Sequence, residues 1–342
     1  MALCLGHPRH GYYMKQDPFG ADGDFTTAPE ISQIFGELIG LWAATAWQAM
    51  GAPASIRLVE LGPGRGTLMQ DMLRAARALP AFRDALSVHL VETSPVLRER
   101  QRQTLAASDA TPHWHDRIDQ ALEGPAIVIA NEFLDALPLD QFIRTADGWR
   151  ERLVGLDDEG RLAFGLSGEP DASLARTAPA GSLVEHPAAA LEAVTIVARH
   201  VATAGGTGLF IDYGPARSGF GDTLQALKRH AFVDVLAEPG DADLTVHVDF
   251  ARMAQAGLAA GAAAHGAVTQ RDFLLALGLQ QRFEALCRRA TPAQVETLAG
   301  GVGRLIEPGP TAMGELFKVL AVADPKLPLL PGFDLHRLPE QG

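Results

Sequence analysis

Apolar positions divide the chain into regions of different period. Ile31, Ile34, Phe35, Leu38, Ile39, Trp42 and Ala46 recur at helical spacing and predict a helix with a wide apolar face over Ile31–Met50. Short apolar runs then alternate with helical stretches. Ile56–Leu61, Ser87–Glu92, His113–His115, Ala126–Asn131 and Thr207–Asp212 read as strands, with helices at Thr67–Ala78 and Ser94–Ala106. Ser94 is suited to cap the latter helix and Pro95 to open it. Ala126–Asn131 is apolar enough to be covered on both faces. Alternating β and α units imply an α/β fold with a doubly wound, mostly parallel sheet and right-handed crossovers.

The period then changes. Gln141–Arg144, Trp149–Leu156 and Arg161–Leu166 read as antiparallel strands, joined by turns at Ala146-Asp147-Gly148 and Asp157-Asp158-Glu159-Gly160. Pro187–Ala204 is the helix that leads back to the last parallel strand. Further on, helices are expected at Phe250–Ala259, Gln270–Arg289 (broken near Gly278) and Pro292–Ile306, and strands at Ala262–Val268 and Leu316–Ala323. The first 30 residues, rich in Gly, Pro and aromatics, read as ordered loop. The expected organisation is a lid-like loop and helix over 1–50, a main domain over 51–138 and 186–324, a β insertion over 139–185 and an extended, Pro-rich tail over 325–342.

Composition narrows the function. At 47% hydrophobic and 20% charged, the 342 residues can bury a large core without staples. A net charge of −12 argues against non-specific nucleic-acid binding, which needs a basic face. Two cysteines, Cys4 and Cys287, build neither a disulfide framework nor a zinc knuckle, and point to a reducing, cytoplasmic setting. No apolar run is long enough for a membrane span, and Met1–Gly11 lacks the pattern of a signal peptide. His113, His115 and Asp116 lack a third ligand at a useful spacing, so no metal site is expected.

The candidate chemistry starts at Val59-Glu60-Leu61-Gly62-Pro63-Gly64-Arg65-Gly66-Thr67, between the first strand and its helix. Glycines let backbone turn with positive φ and approach a ligand closely. The spacing is G-x-G-x-G, and Glu60 precedes it. A carboxylate there repels a pyrophosphate but suits a cationic amino-acid moiety. S-adenosylmethionine carries an ammonium and a sulfonium and no phosphate, so charge favours it over a nicotinamide dinucleotide. Glu92, ending the next strand, is placed to accept from both ribose hydroxyls. The plain alternative is a tight turn with two solvated glutamates.

These residues resemble the class I S-adenosylmethionine-dependent methyltransferases. Tyr12-Tyr13, Gly23-Asp24-Phe25-Thr26-Thr27-Ala28-Pro29-Glu30, Asn131-Glu132-Phe133-Leu134-Asp135, Ile211-Asp212-Tyr213-Gly214 and Asp243-Leu244-Thr245-Val246-His247 extend the resemblance over nearly the whole chain, to the MidA family. That family comprises the bacterial relatives of the mitochondrial complex I assembly factor 7. The resemblance implies a protein-arginine N-methyltransferase, acting on a respiratory complex I subunit in the mitochondrial members. Members usually begin with a further helical segment ahead of the part matching Met1-Ala2-Leu3-Cys4, which leaves the N-terminal lid and any targeting signal open.

Six further residues complete the expected site. Asn131 falls beside the methyl donor, because ligands of such sheets bind beyond the strands' carboxyl ends. Glu132 and Asp135 at i, i+3 can grip a guanidinium and take its proton; acidic residues at a helix N-terminus are the alternative. The 23–30 segment, with Thr26 and Thr27, is either a lid over the cofactor or a structural loop. Asp116 either reaches the adenine amino group or is a surface residue. A cofactor-binding assembly protein without turnover, a small-molecule methyltransferase and a nicotinamide oxidoreductase are the competing functions.

Overall fold

The structure, a computed structural model, describes residues 1–15, 26–174 and 176–334. Among the described residues are fourteen strands, β1 to β14 in chain order. They are Ile56–Leu61, Leu86–Val91, His113–His115, Ala126–Asn131, Asp140–Arg144, Trp149–Leu156, Leu162–Leu166, Leu183–His186, Gly206–Tyr213, Gln225–Lys228, Ala231–Val233, Asp243–Thr245, Ala263–Thr269 and Phe317–Ala323. Seven of these strands form the central sheet in the order β13-β14-β9-β4-β1-β2-β3. The pairs from β3 to β9 are parallel, and β14 runs antiparallel to both its neighbours. The chain leaves β1 toward β2 and β3, then returns to place β4 on the other side. Strand order therefore reverses between β1 and β4, and a crevice opens there beyond the strands' carboxyl ends.

Side-chain alternation along β4 explains its uniform apolarity. Ile127 and Ile129 enter one core, with Ile34, Phe35, Leu38 and Trp42 of helix Gln33–Ala49. Ala126, Val128 and Ala130 enter the other, with Val194, Val197 and Val201 of helix Ala188–Ala204. Helices thus cover β4 on both faces of the sheet.

Strands β5 to β8 form a four-stranded antiparallel sheet in the order β7-β6-β5-β8, with Phe142, Trp149 and Val184 as its own small core. Its fourth strand, Leu183–His186, is too short to show a period. A third sheet, β11-β10-β12, was not expected either, for the same reason. Instead of loop, the N-terminus holds two short helices, Ala2–Gly6 and Tyr12–Lys15, whose Leu5 and Tyr12 pack on Ala226 and Leu244 of that sheet. The helix expected over Gln270–Arg289 breaks at Gly278, where φ is +88°. The described part of the tail, 325–334, packs rather than trails: Leu330 and Phe333 are buried, and Trp42 donates its indole N–H to Pro331 O at 3.2 Å. Among the described residues no helix is long and apolar enough to cross a membrane.

Candidate active site

A cleft of about 660 Å³ runs along the carboxyl edge of the central sheet. Gly62 and Gly64 line it after β1, Glu92 after β2, Glu132 and Asp135 after β4, and Tyr213 at the end of β9. A side cavity of about 40 Å³ shares Gly62, Gly64 and Glu132 and adds Thr27, Glu60 and Asn131.

The glycine turn has the backbone its sequence requires: φ is +62° at Gly62, +52° at Gly64 and +82° at Gly66. Gln101, fully buried on helix Pro95–Leu105, ties this turn to β2. Its amide donates to Gly64 O at 2.8 Å and to the Glu92 carboxylate at 3.2 Å, and accepts from the Trp114 indole at 2.8 Å. Glu92 also accepts from the Ser94 N–H at 2.8 Å, and burial raises its pKa. Glu60 is 3% exposed, and its Oε2 has no hydrogen-bond partner among the described residues. Burial pushes its pKa up to about 8, opposed by the Met69 N–H.

At the other end of the cleft the chain turns sharply. Glu132 sits at φ +50°, a left-handed conformation that costs a non-glycine residue about 1–3 kcal/mol. Its N–H is held by Ile211 O at 2.9 Å, and its carboxylate accepts from the Ala28 N–H and the Asn131 amide, each at 3.0 Å. Burial lifts Glu132 to about 7, opposed by Ala28 and reinforced by Asp135. Asp135 is lifted to about 6 by burial, opposed by a hydrogen bond to the Tyr213 hydroxyl. Its Oδ1, like Asn131 Oδ1, is buried with no partner among the described residues.

Asp212 organises this turn. Its Oδ2 accepts from the N–H groups of Phe133, Leu134 and Asp135 at 3.2, 3.0 and 3.2 Å, and its Oδ1 from the Tyr213 N–H at 2.9 Å. Burial raises it too, followed by the charges of Asp135 and Glu132. Asp212→Ala would take the acceptor from four N–H groups and should cost about 3 kcal/mol or more in urea unfolding. An unchanged midpoint would show that the turn holds itself.

A family profile described as a putative S-adenosyl-L-methionine-dependent methyltransferase matches residues 38–268. The chain belongs to this family. It is 37% identical to the protein arginine methyltransferase NDUFAF7, mitochondrial, of Danio rerio, covering 94% of this chain and 82% of that one. Against the NDUFAF7 homolog of Drosophila melanogaster the identity is 38%, with coverages of 94% and 80%. The crystal structure of a COG1565 superfamily member from Burkholderia thailandensis, bound to S-adenosyl-homocysteine, superposes with a TM-score of 0.82 at 30% identity, covering 98% of this chain and 89% of that one. The methyltransferase thus has the fold its strand pattern predicted, and S-adenosylmethionine is its cofactor. The cytoplasmic expectation is overturned, because these NDUFAF7 relatives are named as mitochondrial. Two free thiols do not distinguish one reducing compartment from another.

The residues of this chain fit that cofactor. Glu60 presents an unpartnered buried carboxylate oxygen where a cationic amino-acid end would lie. Gly62 has no room for a side chain: a Cβ there would stand 2.8 Å from Phe133 Cδ2. Asp116 lines the cleft, but its side chain is 70% exposed and salt-bridged to Arg98 at 2.7 Å. Thr27 lines the side cavity, whereas Thr26 lines neither cavity. The lid expected over 23–30 begins outside the described residues. Sequence reasoning assigned no role to Gln101, Tyr13 or Asp243. The Tyr13 hydroxyl donates to Asp243 Oδ1 at 2.8 Å across 230 residues of chain, a pairing no local spacing signals.

Glu60→Gln keeps the side chain's shape and removes its charge. A carboxyl raised from about 4.5 to about 8 on folding binds its proton more tightly in the folded state. Folded stability therefore falls as pH rises between those values. The ligand-free variant should melt above the wild type, the gap widening up to pH 8, while affinity for S-adenosylmethionine drops roughly tenfold by calorimetry. A variant that binds as tightly as the wild type would remove Glu60 from the cofactor site.

Proposed function

We propose that this methyltransferase acts on an arginine nitrogen of a protein partner, with a respiratory complex I subunit as the candidate acceptor. The observation that carries the reading is a group of enclosed carboxyls: Glu132 and Asp135 line one end of the cleft, and Asp212 lies buried beside them. Glu132, Asp135 and Asp212 are all raised above the ordinary carboxylate range, burial being the first cause. A guanidinium entering that end supplies the missing cation and returns the carboxyls to their ionised forms. The relatives' name, protein arginine methyltransferase, supports the same acceptor.

S-adenosylmethionine supplies an electrophilic methyl group on a sulfonium. Glu60 and the glycine turn hold its amino-acid end, and Glu92 holds its ribose. Glu132 and Asp135 would orient the guanidinium so that one nitrogen faces the methyl carbon, and one of the two would accept the proton released as the N–C bond forms and the methyl–sulfur bond breaks, with S-adenosylhomocysteine as the leaving group. Helix capping explains Glu132 less well, since its carboxylate accepts from Ala28, outside its own turn.

The test is isotope-labelled S-adenosylmethionine with purified protein and a solubilised complex I preparation, followed by mass spectrometry. Label on methyl-arginine is the expected result. Label on another residue, or cofactor binding without release of S-adenosylhomocysteine, would overturn the reading, the latter in favour of an assembly role without turnover.

A further inference from the structure

The acceptor end of the cleft has a second wall. It consists of the small β11-β10-β12 sheet and the N-terminal helices, and it contributes Asp243, Thr245 and Gln225 from the sheet and Tyr13 from the helix Tyr12–Lys15. Asp243 is 4% exposed and lines the same cleft as Asp135. It accepts the Tyr13 hydroxyl at 2.8 Å, and the end of β12 is fastened to Asp135 by the Val246 N–H on Asp135 O at 3.1 Å. Tyr13 feels the charge of both Asp243 and Asp135, after burial the largest influences on its hydroxyl. The same cleft is also lined by Leu5, Met14, Leu137 and Leu227, which suit the methylene stem of a long side chain.

A guanidinium carries five N–H donors in a plane, and no single carboxylate takes more than two of them. With one nitrogen directed at the methyl donor, the remaining N–H groups need acceptors on more than one side. We propose that Asp243 is a further guanidinium-binding carboxylate of the acceptor site, and that Tyr13, by holding it, makes the N-terminal segment part of that site. This rests on the arginine-acceptor reading and adds to it a specific requirement for charge on β12.

The experiment uses the full chain loaded with S-adenosylhomocysteine and two probes, Nα-acetyl-arginine methylamide and its uncharged isostere Nα-acetyl-citrulline methylamide, titrated by ligand-observed NMR. Asp243→Asn should weaken the arginine probe by about tenfold and leave the citrulline probe within about twofold. Tyr13→Phe, which keeps the buried ring, should weaken the arginine probe roughly threefold. If Asp243→Asn leaves the arginine probe unchanged, or weakens both probes alike, the proposal is overturned while the arginine reading stands. If the wild type binds both probes equally, the arginine reading falls and takes this proposal with it. Should Asp243→Asn lose S-adenosylhomocysteine binding, an unaltered arginine affinity in Tyr13→Phe overturns the proposal instead.

Discussion

Asp135→Asn should lower arginine methylation by about 100- to 1,000-fold and leave affinity for S-adenosylhomocysteine within about threefold. The side chain is 5% exposed, and its Oδ1 faces no partner among the described residues. Asparagine preserves that shape. It removes the charge that would hold the guanidinium and the lone pair that would take its proton. Because Glu132 and Asp135 are raised to about 7 and about 6, the ligand-free enzyme holds protons on them just below neutral pH. The active form is the ionised one, so kcat/KM should climb as pH rises through 6 to 7 and then level off. In Asp135→Asn the lower inflection should vanish. A variant with the wild-type rate and profile would show that Asp135 does not meet the acceptor.

Gly62→Ala is expected to abolish activity by a different route. The residue lies at φ +62°, and the new Cβ would stand 2.8 Å from Phe133 Cδ2. Strain and overpacking cost about 1–3 kcal/mol each. Together these correspond to about a 100-fold loss of S-adenosylhomocysteine affinity, readable by calorimetry. The damage should spread, since the Phe133 N–H is one of those gathered by Asp212. Gly124→Ala is the control: φ is +61° there, with nothing within 4 Å of the added carbon. It should lower the melting temperature and leave affinity intact. Equal affinity in both variants would mean that the glycine turn does not touch the cofactor.

Legibility in the sequence followed the range of the forces involved. β1 and β4 were readable to the residue, because each is a short apolar run bounded by glycine, proline or a polar turn. The central sheet's two faces could be inferred from β4, whose apolarity has no polar alternate. The glycine turn and the two acids beside it were readable for the same reason, since Glu60, Gly62, Gly64, Gly66 and Glu92 all lie in or just after adjacent strands. The small β11-β10-β12 sheet escaped because three or four residues carry no period, and its packing partners, Leu5 and Tyr12, lie more than 200 residues away in the chain.

The chain's own order of apolar and polar residues determined an α/β sheet, the place of its glycine turn and the acidic residues beside it, since these depend on neighbours within a few positions. Folding in three dimensions decided which acids are enclosed together. Asp212 gathers N–H groups some 80 residues away, Tyr13 meets Asp243 across 230, and Asp116 is drawn off to Arg98. Those pairings set burial, and burial sets charge. A carboxylate in sequence has its ordinary pKa, while one enclosed without a cation does not.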